Sequence, residues 1–156
     1  MSTYDDAMKV MSELFSKDCI FALATVSGGK PCVRMIDTYY EDGAFYVVTH
    51  ALSAKAKELA ANEHAALCSQ GYRFDGVARS IGHPLDPQNA ALREKLTCAF
   101  APWYFKHNNE QDEAMCYLRI ELWHGFFYKD GTGYSVDFLN RTAEAFPFTF
   151  DVALPE

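Results

Sequence analysis

Short glycine-containing turns divide much of the chain into segments of strand length. Residues 27–31 (SGGKP) follow the apolar segment 19–26, and residues 41–43 (EDG) separate segment 32–40 from segment 44–49. Glycine readily adopts the positive φ angles that tight hairpins require, so each turn predicts an antiparallel pair of strands. Parallel strands need long crossover connections, which these turns do not provide. The pattern predicts an antiparallel sheet closed into a barrel, a mainly β (α+β) fold.

Helical periodicity appears between these strands. The predicted helices begin at Ser2 or Thr3, at Ser53 and at Asp86-Pro87, where a capping residue precedes a proline at the first helical position. The remaining predicted strands are 65–72, 74–81, 115–128 and 133–138. Residues 140–156 lack clear periodicity and are expected to lie across the surface. About seven strands and three helices then form one domain of residues 1–156, an antiparallel β-barrel with flanking helices.

The composition excludes several classes of protein. The net charge of −7 argues against general nucleic-acid binding. No segment reaches the ~20 apolar residues of a membrane span, and the N-terminal residues do not resemble a signal peptide. Five cysteines without a Cys-x-x-Cys pair do not form a disulfide framework, and the histidine spacing indicates no metal site. We therefore expect a soluble cytoplasmic protein whose strand cysteines (Cys19, Cys32, Cys68 and Cys116) are buried and inert.

The helix predicted at Ser53 begins with an unusual distribution of charge. Lys55 and Lys57 lie in its first turn, at the positive end of the helix dipole, where acidic residues are typical. A bound anion would relieve this conflict, held by Ser53, free backbone N–H groups and a lysine. Arg34 on the preceding hairpin could add a two-pronged grip on the anion. The alternative is a solvated helix that happens to begin with lysines.

This part of the chain resembles the flavin-binding core of the pyridoxamine 5′-phosphate oxidase-like family. The matching residues are 29–36 (GKPCVRMI), 48–49 (VT), 53–55 (SAK) and Asn62, and the resemblance covers about residues 19–81. It implies a split β-barrel that forms a homodimer with FMN in the cleft between two subunits. It also implies that Arg34, Lys55 and Ser53 hold the FMN phosphate. The residues implied at the isoalloxazine ring are Met35, Ile36, Val48, Thr49, Gln70 and Trp123.

The sequence departs from the family's oxidases at the substrate site. Ala54 stands where the oxidases have an arginine, and Tyr39 replaces a lysine that grips the vitamin phosphate. The Arg-x-His substrate motif expected after Trp123 is also absent. These departures indicate that the protein is not a genuine pyridoxamine phosphate oxidase, while FMN binding remains the expectation.

Three functional hypotheses follow from the sequence. The first is an FMN-dependent oxidoreductase that passes electrons from a reduced nicotinamide or organic donor to a small-molecule acceptor, with His50 as a candidate proton donor. The second is a non-catalytic FMN-binding protein for electron transfer or stress response. The third keeps the fold but binds haem or a deazaflavin. The aromatic segment 100–112 is either a lid over a planar substrate or ordinary packing against the barrel, and packing is favoured.

Overall fold

The computed structural model describes residues 1–150, in which eight strands and four helices are present. The strands are β1 (Cys19–Ser27), β2 (Lys30–Glu41), β3 (Ala44–His50), β4 (His64–Ser69), β5 (Tyr72–Ser80), β6 (Met115–Lys129), β7 (Thr132–Asp137) and β8 (Thr142–Pro147). The helices are α1 (Thr3–Phe15), α2 (Ala54–Ala61), α3 (Ala90–Ala99) and α4 (Tyr104–His107), with a 3₁₀ turn at Pro87–Asn89 before α3. No helix within residues 1–150 is both long and apolar enough to span a bilayer.

Six antiparallel strands form a closed barrel in the order β3-β2-β1-β4-β5-β6, because β6 also pairs with β3. Strands β7 and β8 extend the sheet beyond β6. Every pairing is antiparallel, as the glycine turns predicted. The predicted split β-barrel with flanking helices is confirmed.

Helix α1 covers one end of the barrel. Ser2 caps it in a reciprocal arrangement, since the Ser2 hydroxyl accepts from the Asp5 N–H while the Asp5 carboxylate accepts from the Ser2 N–H. Its apolar stripe includes Met11 and Phe15, and the Phe15 ring contacts Phe21 with centroids 5.6 Å apart. The first helix is therefore as predicted, and its buried face joins the barrel interior.

The barrel is split between β2 and β3. These two strands pair at only three positions, Tyr39 with Tyr46, Tyr40 with Phe45, and Glu41 with Ala44. The rest of β2 pairs only with β1, in a register that runs from Ser27–Lys30 to Cys19–Thr38. The backbone edge of β2 before Tyr39 and the facing edge of β3 after Tyr46 thus separate as they approach α2. Unpaired strand edges of this kind present N–H and C=O groups to any molecule that enters the gap.

A second apolar cluster lies outside the barrel. Phe100 and Tyr104 are fully buried against the outer face of β3 and β6, and the Tyr104 hydroxyl lies 2.6 Å from that of Tyr117. Phe105 is exposed. The aromatic segment 100–112 therefore packs for the most part against the barrel, as favoured from the sequence, although it contains the short helix α4.

Several sequence predictions are wrong in detail. Part of the segment expected to lack regular structure forms β8 on the β7 edge, while residues 151–156 lie outside the described range. The β4–β5 turn falls at residues 70–71, so Tyr72 begins β5 instead of ending β4. The Asp86 carboxylate accepts from the backbone of His83 and does not cap the helix that follows. Cys68 is exposed, because its side chain lies on the outer face of β4.

Candidate functional site

Polar side chains meet where β3 ends and α2 begins. Ser53 caps α2, and its hydroxyl accepts from the Ala56 N–H at 3.3 Å. The Thr49 hydroxyl lies 3.4 Å from the Ser53 hydroxyl and accepts from Lys55 Nζ at 2.9 Å. One hydroxyl hydrogen can be used between Thr49 and Ser53, so one remains for a ligand. The structure brings together three of the predicted phosphate-site and ring-site residues.

Lys55 is the available cation of this cluster. It donates one hydrogen bond within the described residues, and it has no ion pair there. An ammonium has three N–H donors, so two remain for an anion. Partial burial lowers the pKa of Lys55, and the positive charge of Arg34 lowers it further. An anion at this point would compensate both effects. Lys57, by contrast, is exposed on the other side of α2.

Arg34 is already bonded to neighbouring groups. Its Nη2 lies 2.8 and 3.0 Å from the two carboxylate oxygens of Glu58, and its Nη1 donates to Thr25 Oγ1 at 2.7 Å and to the Leu23 carbonyl at 3.4 Å. The side chains of Arg34 and Glu58 are mostly buried, so this pair ties β2 to α2. Within the described residues only the Nε–H of Arg34 has no acceptor, which leaves one donor for a ligand instead of the predicted two-pronged grip.

Glu58 is a site residue that the sequence reasoning missed. It lies five residues after the helix cap, where an acidic residue on α2 gave no local signal. Its contact with Arg34 spans 24 positions of the chain and exists only because α2 folds back under the barrel. It reduces the formal charge of the cluster from two positive charges to one. The available signal was the position of Glu58. It lies one turn into a helix that begins beside Arg34, whose side chain faces inward.

Four of the six residues predicted at the flavin ring lie on the two strands that border the split. The side chain of Ile36 is buried in the barrel core, and that of Met35 is exposed on the outer face. Val48 and Thr49 lie on the part of β3 that no longer pairs with β2. At Met35 and Ile36 the backbone edge, not the side chain, is therefore the part of β2 that a molecule in the split would contact.

Gln70 and Trp123 do not join this cluster within one chain. Gln70 lies at the turn after β4, whereas α2 comes before β4. Gln70 and α2 are therefore separated by the length of this six-residue strand, roughly 20 Å. Thr49 pairs with Cys116, and Trp123 lies seven residues further along β6, roughly 23 Å along the strand. Within one chain, both predicted residues are therefore separated from Lys55 by roughly 20 Å along a strand.

His50 is held by hydrogen bonds at both ring nitrogens. Its Nδ1 accepts from the Leu52 N–H at 3.2 Å, so Nε2 carries the hydrogen and donates to Asp112 at 2.9 Å. Neither nitrogen is left to donate to a substrate. The arrangement instead fixes the turn between β3 and α2 to the loop before β6, which does not favour the predicted role of His50 as a proton donor.

An apolar patch covers the outer face of β1 and β2. Ile20, Val33 and Met35 are 57%, 69% and 63% exposed, and the small side chains of Ala22 and Ala24 lie between them. Side chains of alternate residues share one face of a strand, so the five form a continuous surface. Large exposed apolar side chains in one contiguous patch are typical of an interaction surface.

The closed six-stranded barrel with one incomplete strand pairing defines the protein as a split-barrel protein. The family model for pyridoxamine 5′-phosphate oxidase matches residues 7–126, most of the chain, and the chain therefore belongs to that family. A search of curated protein sequences finds no match.

Solved structures show the same fold at low sequence identity. A NimC/NimA family protein from Clostridium acetobutylicum is 19% identical with a TM-score of 0.59, and the match covers 91% of this chain and 94% of that one. General Stress Protein 26 from Bacillus anthracis is 17% identical with a TM-score of 0.58, covering 91% and 98%. A pyridoxamine 5′-phosphate oxidase-related, FMN-binding protein from Nostoc punctiforme is 13% identical with a TM-score of 0.55, covering 96% and 98%.

Proteins of this fold carry different ligands. A haem-binding protein from Mycobacterium smegmatis matches at 15% identity and a TM-score of 0.58, and the match covers 94% of this chain and 58% of that one. An F420 reductase matches at 14% identity and a TM-score of 0.56, and the match covers 71% of this chain and 91% of that one. At such identities the likeness shows the fold alone.

Proposed function

We propose that the protein is a homodimeric flavoprotein that binds FMN in the split between β2 and β3. The observation that carries this proposal is the position of the split: its unpaired strand edges end beside Lys55, Ser53 and Thr49. FMN has a planar ring with hydrogen-bonding edges and a phosphate on a short chain. The split has backbone groups along its sides and the Lys55 cation at its end, so its shape and chemistry match this molecule.

Lys55 is the principal phosphate ligand in this proposal. It contributes two unused N–H donors, and the free hydroxyl hydrogen of the Thr49–Ser53 pair contributes a third. Arg34 contributes its Nε–H and its charge, while its other donors remain on Glu58 and Thr25. The first backbone N–H groups of α2 face the same region, and their partial positive charge also favours an anion.

The isoalloxazine ring is held by backbone in this proposal. The ring has carbonyl acceptors and an N–H donor on one edge, which can pair with the N–H and C=O groups of a strand as a neighbouring strand would. Met35 and Ile36 supply that edge from β2, and Val48 and Thr49 supply it from β3. Because the contacts are to backbone, the side chains at these positions are free to serve the barrel core or the outer surface.

A second copy of the chain completes the site. Gln70 and Trp123 lie roughly 20 Å from Lys55 in one protomer. Since they cannot reach the split of their own chain, they contact the flavin only if a partner protomer presents them. The apolar patch of Ile20, Val33 and Met35 borders the split and supplies the surface for a two-fold homodimer.

Bound FMN would supply two-electron redox chemistry, and the protein would supply binding, orientation and exclusion of water. We propose an oxidoreductase that takes electrons from a reduced nicotinamide or organic donor and passes them to a small-molecule acceptor. The five cysteines are unpaired in the described structure, which suits the reducing cytoplasm. A non-catalytic FMN protein is one alternative, and the binding of haem or a deazaflavin is another, since proteins of the same fold include a haem-binding protein and an F420 reductase.

Ligand titration tests this proposal. The protein purified without added cofactor is titrated with FMN, riboflavin, F420 and haemin, while absorbance and flavin fluorescence are recorded. We expect FMN to bind much more tightly than riboflavin, because only FMN has the phosphate that Lys55 would hold. Equal affinities for the two flavins would contradict the phosphate site, and selective binding of haemin or F420 would replace FMN as the cofactor.

Turnover and mass complete the test. Steady oxidation of a reduced nicotinamide with an added acceptor would support the enzyme, whereas slow reduction by every donor would favour a binding protein. Light scattering should give the mass of a dimer. A monomer that binds FMN tightly would contradict the shared site.

A further inference from the structure

A chain of hydrogen-bonded side chains lies in the apolar cluster outside the barrel and has no role in the proposed flavin site. Tyr117 on β6 and Tyr104 on α4 are fully buried, and their hydroxyl oxygens are 2.6 Å apart. The Tyr104 hydroxyl lies 3.0 Å from Glu110 Oε2. Arg93 on α3 donates to both carboxylate oxygens of Glu110, at 2.7 and 2.5 Å. Four titratable groups are therefore connected in a row.

The carboxylate at one end of this row determines the direction of its hydrogen bonds. An ionised carboxylate only accepts, so the single hydrogen of the Tyr104 hydroxyl lies towards Glu110. The Tyr117 hydroxyl is then the donor between the two phenols. Arg93 keeps Glu110 ionised, because the hydrogen bonds from its guanidinium lower the pKa of that carboxyl. A proton can therefore move along the row from Tyr117 through Tyr104 to Glu110.

Both phenols are held in their protonated form. Burial raises the pKa of Tyr117 to about 12, and burial together with the contact to Tyr117 raises the pKa of Tyr104. A phenol that loses an electron becomes a strong acid, so a buried tyrosine is oxidised readily only if a neighbouring group accepts its proton. Tyr117 has such a neighbour, since Tyr104 accepts its hydrogen bond and is itself bonded to Glu110. The row therefore suits one-electron oxidation of Tyr117 coupled to proton transfer.

Tyr117 also lies next to the residue that would hold the flavin ring on the β3 side of the split. It is directly opposite Val48 in the β3–β6 pairing, so the two side chains share one face of the sheet and their Cα atoms are roughly 5 Å apart. The Val48 side chain packs against the cluster that contains Tyr117. A ring held by the backbone of Val48 would thus be one cross-strand step from the phenol. The apolar dimer patch lies on β1 and β2, on the other side of the split.

We propose that Tyr117 is a redox-active residue that gives one electron to light-excited, oxidised flavin and one proton to Tyr104. The O–H bond of Tyr117 breaks, its proton binds the Tyr104 oxygen, and the Tyr104 proton moves to Glu110. The products are a flavin reduced by one electron, a neutral Tyr117 radical and a protonated Glu110. The electron and both protons then return, so nothing is consumed and the absorbed light is released as heat, which limits photochemical damage. The inference rests on the proposed binding of FMN.

The lifetime of flavin fluorescence tests this proposal. FMN is bound to the wild type and to Tyr117→Phe, Tyr104→Phe and Tyr4→Phe, its affinity is measured by titration, and the decay is recorded in H₂O and in D₂O. Tyr4 is also buried but lies on α1, so Tyr4→Phe is the matched control. The fast decay should be lost in Tyr117→Phe. In Tyr104→Phe it should slow at least about tenfold, since proton transfer to a positioned group contributes typically 10²–10⁴-fold.

The effect of D₂O separates proton-coupled electron transfer from a purely structural role of the phenols. The decay should be slower in D₂O than in H₂O for the wild type and Tyr4→Phe, but not for Tyr117→Phe. With FMN bound, equal lifetimes in wild type and Tyr117→Phe would overturn the proposal, and so would a wild-type decay that D₂O leaves unchanged, a result that requires no variant to fold. Failure of the wild type to bind FMN would instead contradict the proposed function, and this inference with it.

Discussion

Replacing Lys55 with glutamine should weaken FMN binding much more than it weakens riboflavin binding. Lys55 has two N–H donors that no described residue uses, and its formal charge is not balanced by an ion pair there. Charge-assisted hydrogen bonds contribute roughly 1.5–3 kcal/mol each, and glutamine can replace only part of them. A net loss of about 3 kcal/mol corresponds to a rise in Kd of roughly 140-fold, since each 1.4 kcal/mol is tenfold.

Lys57→Gln is the matched control for this experiment. It removes the same charge from the same helix two residues further on, but Lys57 is exposed and lies about 200° around the helix from Lys55. Fluorescence quenching of FMN and of riboflavin gives both affinities for each variant. Equal FMN affinities in Lys55→Gln and Lys57→Gln would refute the phosphate assignment. A matching loss of riboflavin affinity would show that Lys55 supports the fold or the ring, not the phosphate.

Three further predictions concern stability and assembly. Arg34→Ala should lower the free energy of unfolding by about 2–3 kcal/mol, because it leaves the mostly buried Glu58 carboxylate without its arginine partner. Urea denaturation measures this loss. The double variant Arg34→Ala with Glu58→Ala should recover part of it. Burial and a neighbouring carboxylate raise the pKa of Asp37 to about 6, so the folded state holds a proton that the unfolded state has lost, and stability should fall as the pH rises from about 4 to about 6. Asp37→Asn should remove about 1 kcal/mol of this fall in stability, a small value because the Asp37 side chain is partly exposed and screened by solvent. Identical pH–stability curves for wild type and Asp37→Asn would contradict the raised pKa of Asp37. Mixing Lys55→Gln protomers with Trp123→Ala protomers should restore tight FMN binding to part of the sites, measured by FMN titration after subunit exchange, whereas no recovery would contradict the shared site.

The parts of the fold that the sequence predicted depend on short-range physics. The turn at Asp42-Gly43 needs positive φ at both residues, and the structure has φ of 46° and 82° there. Ser53 was recognised as a helix cap because its hydroxyl bonds to a backbone N–H three residues away. Such signals are contained within a few residues, so they can be read without knowing the tertiary structure.

The parts that were missed depend on contacts between distant residues. Strand β8 is mostly exposed and does not alternate between apolar and polar residues, so it has no periodic signal; it forms because the β7 edge is available for pairing. The Asp86 carboxylate turned back to the His83 N–H because the tight turn before it offered a nearer donor. Glu58 could not be assigned to Arg34 until the fold packed α2 against β1, the strand that pairs with β2.

The distribution of candidate site residues over the barrel has a consequence for assembly. Lys55, Ser53 and Thr49 lie where β3 ends, and antiparallel pairing sends β4 and β6 away from that end before they reach Gln70 and Trp123. No change of side-chain rotamer covers roughly 20 Å. Within one protomer, Gln70 and Trp123 therefore cannot contact the cluster at the end of β3. The proposed two-fold dimer would join them, because its axis would place one end of each barrel against the other end of its partner. In a mixture of the two single variants, only the heterodimer contains an intact Lys55 facing an intact Trp123, and only at one of its two sites. With random exchange about half the dimers are mixed, so roughly a quarter of all sites should recover wild-type affinity, whereas a site built within one protomer would recover none.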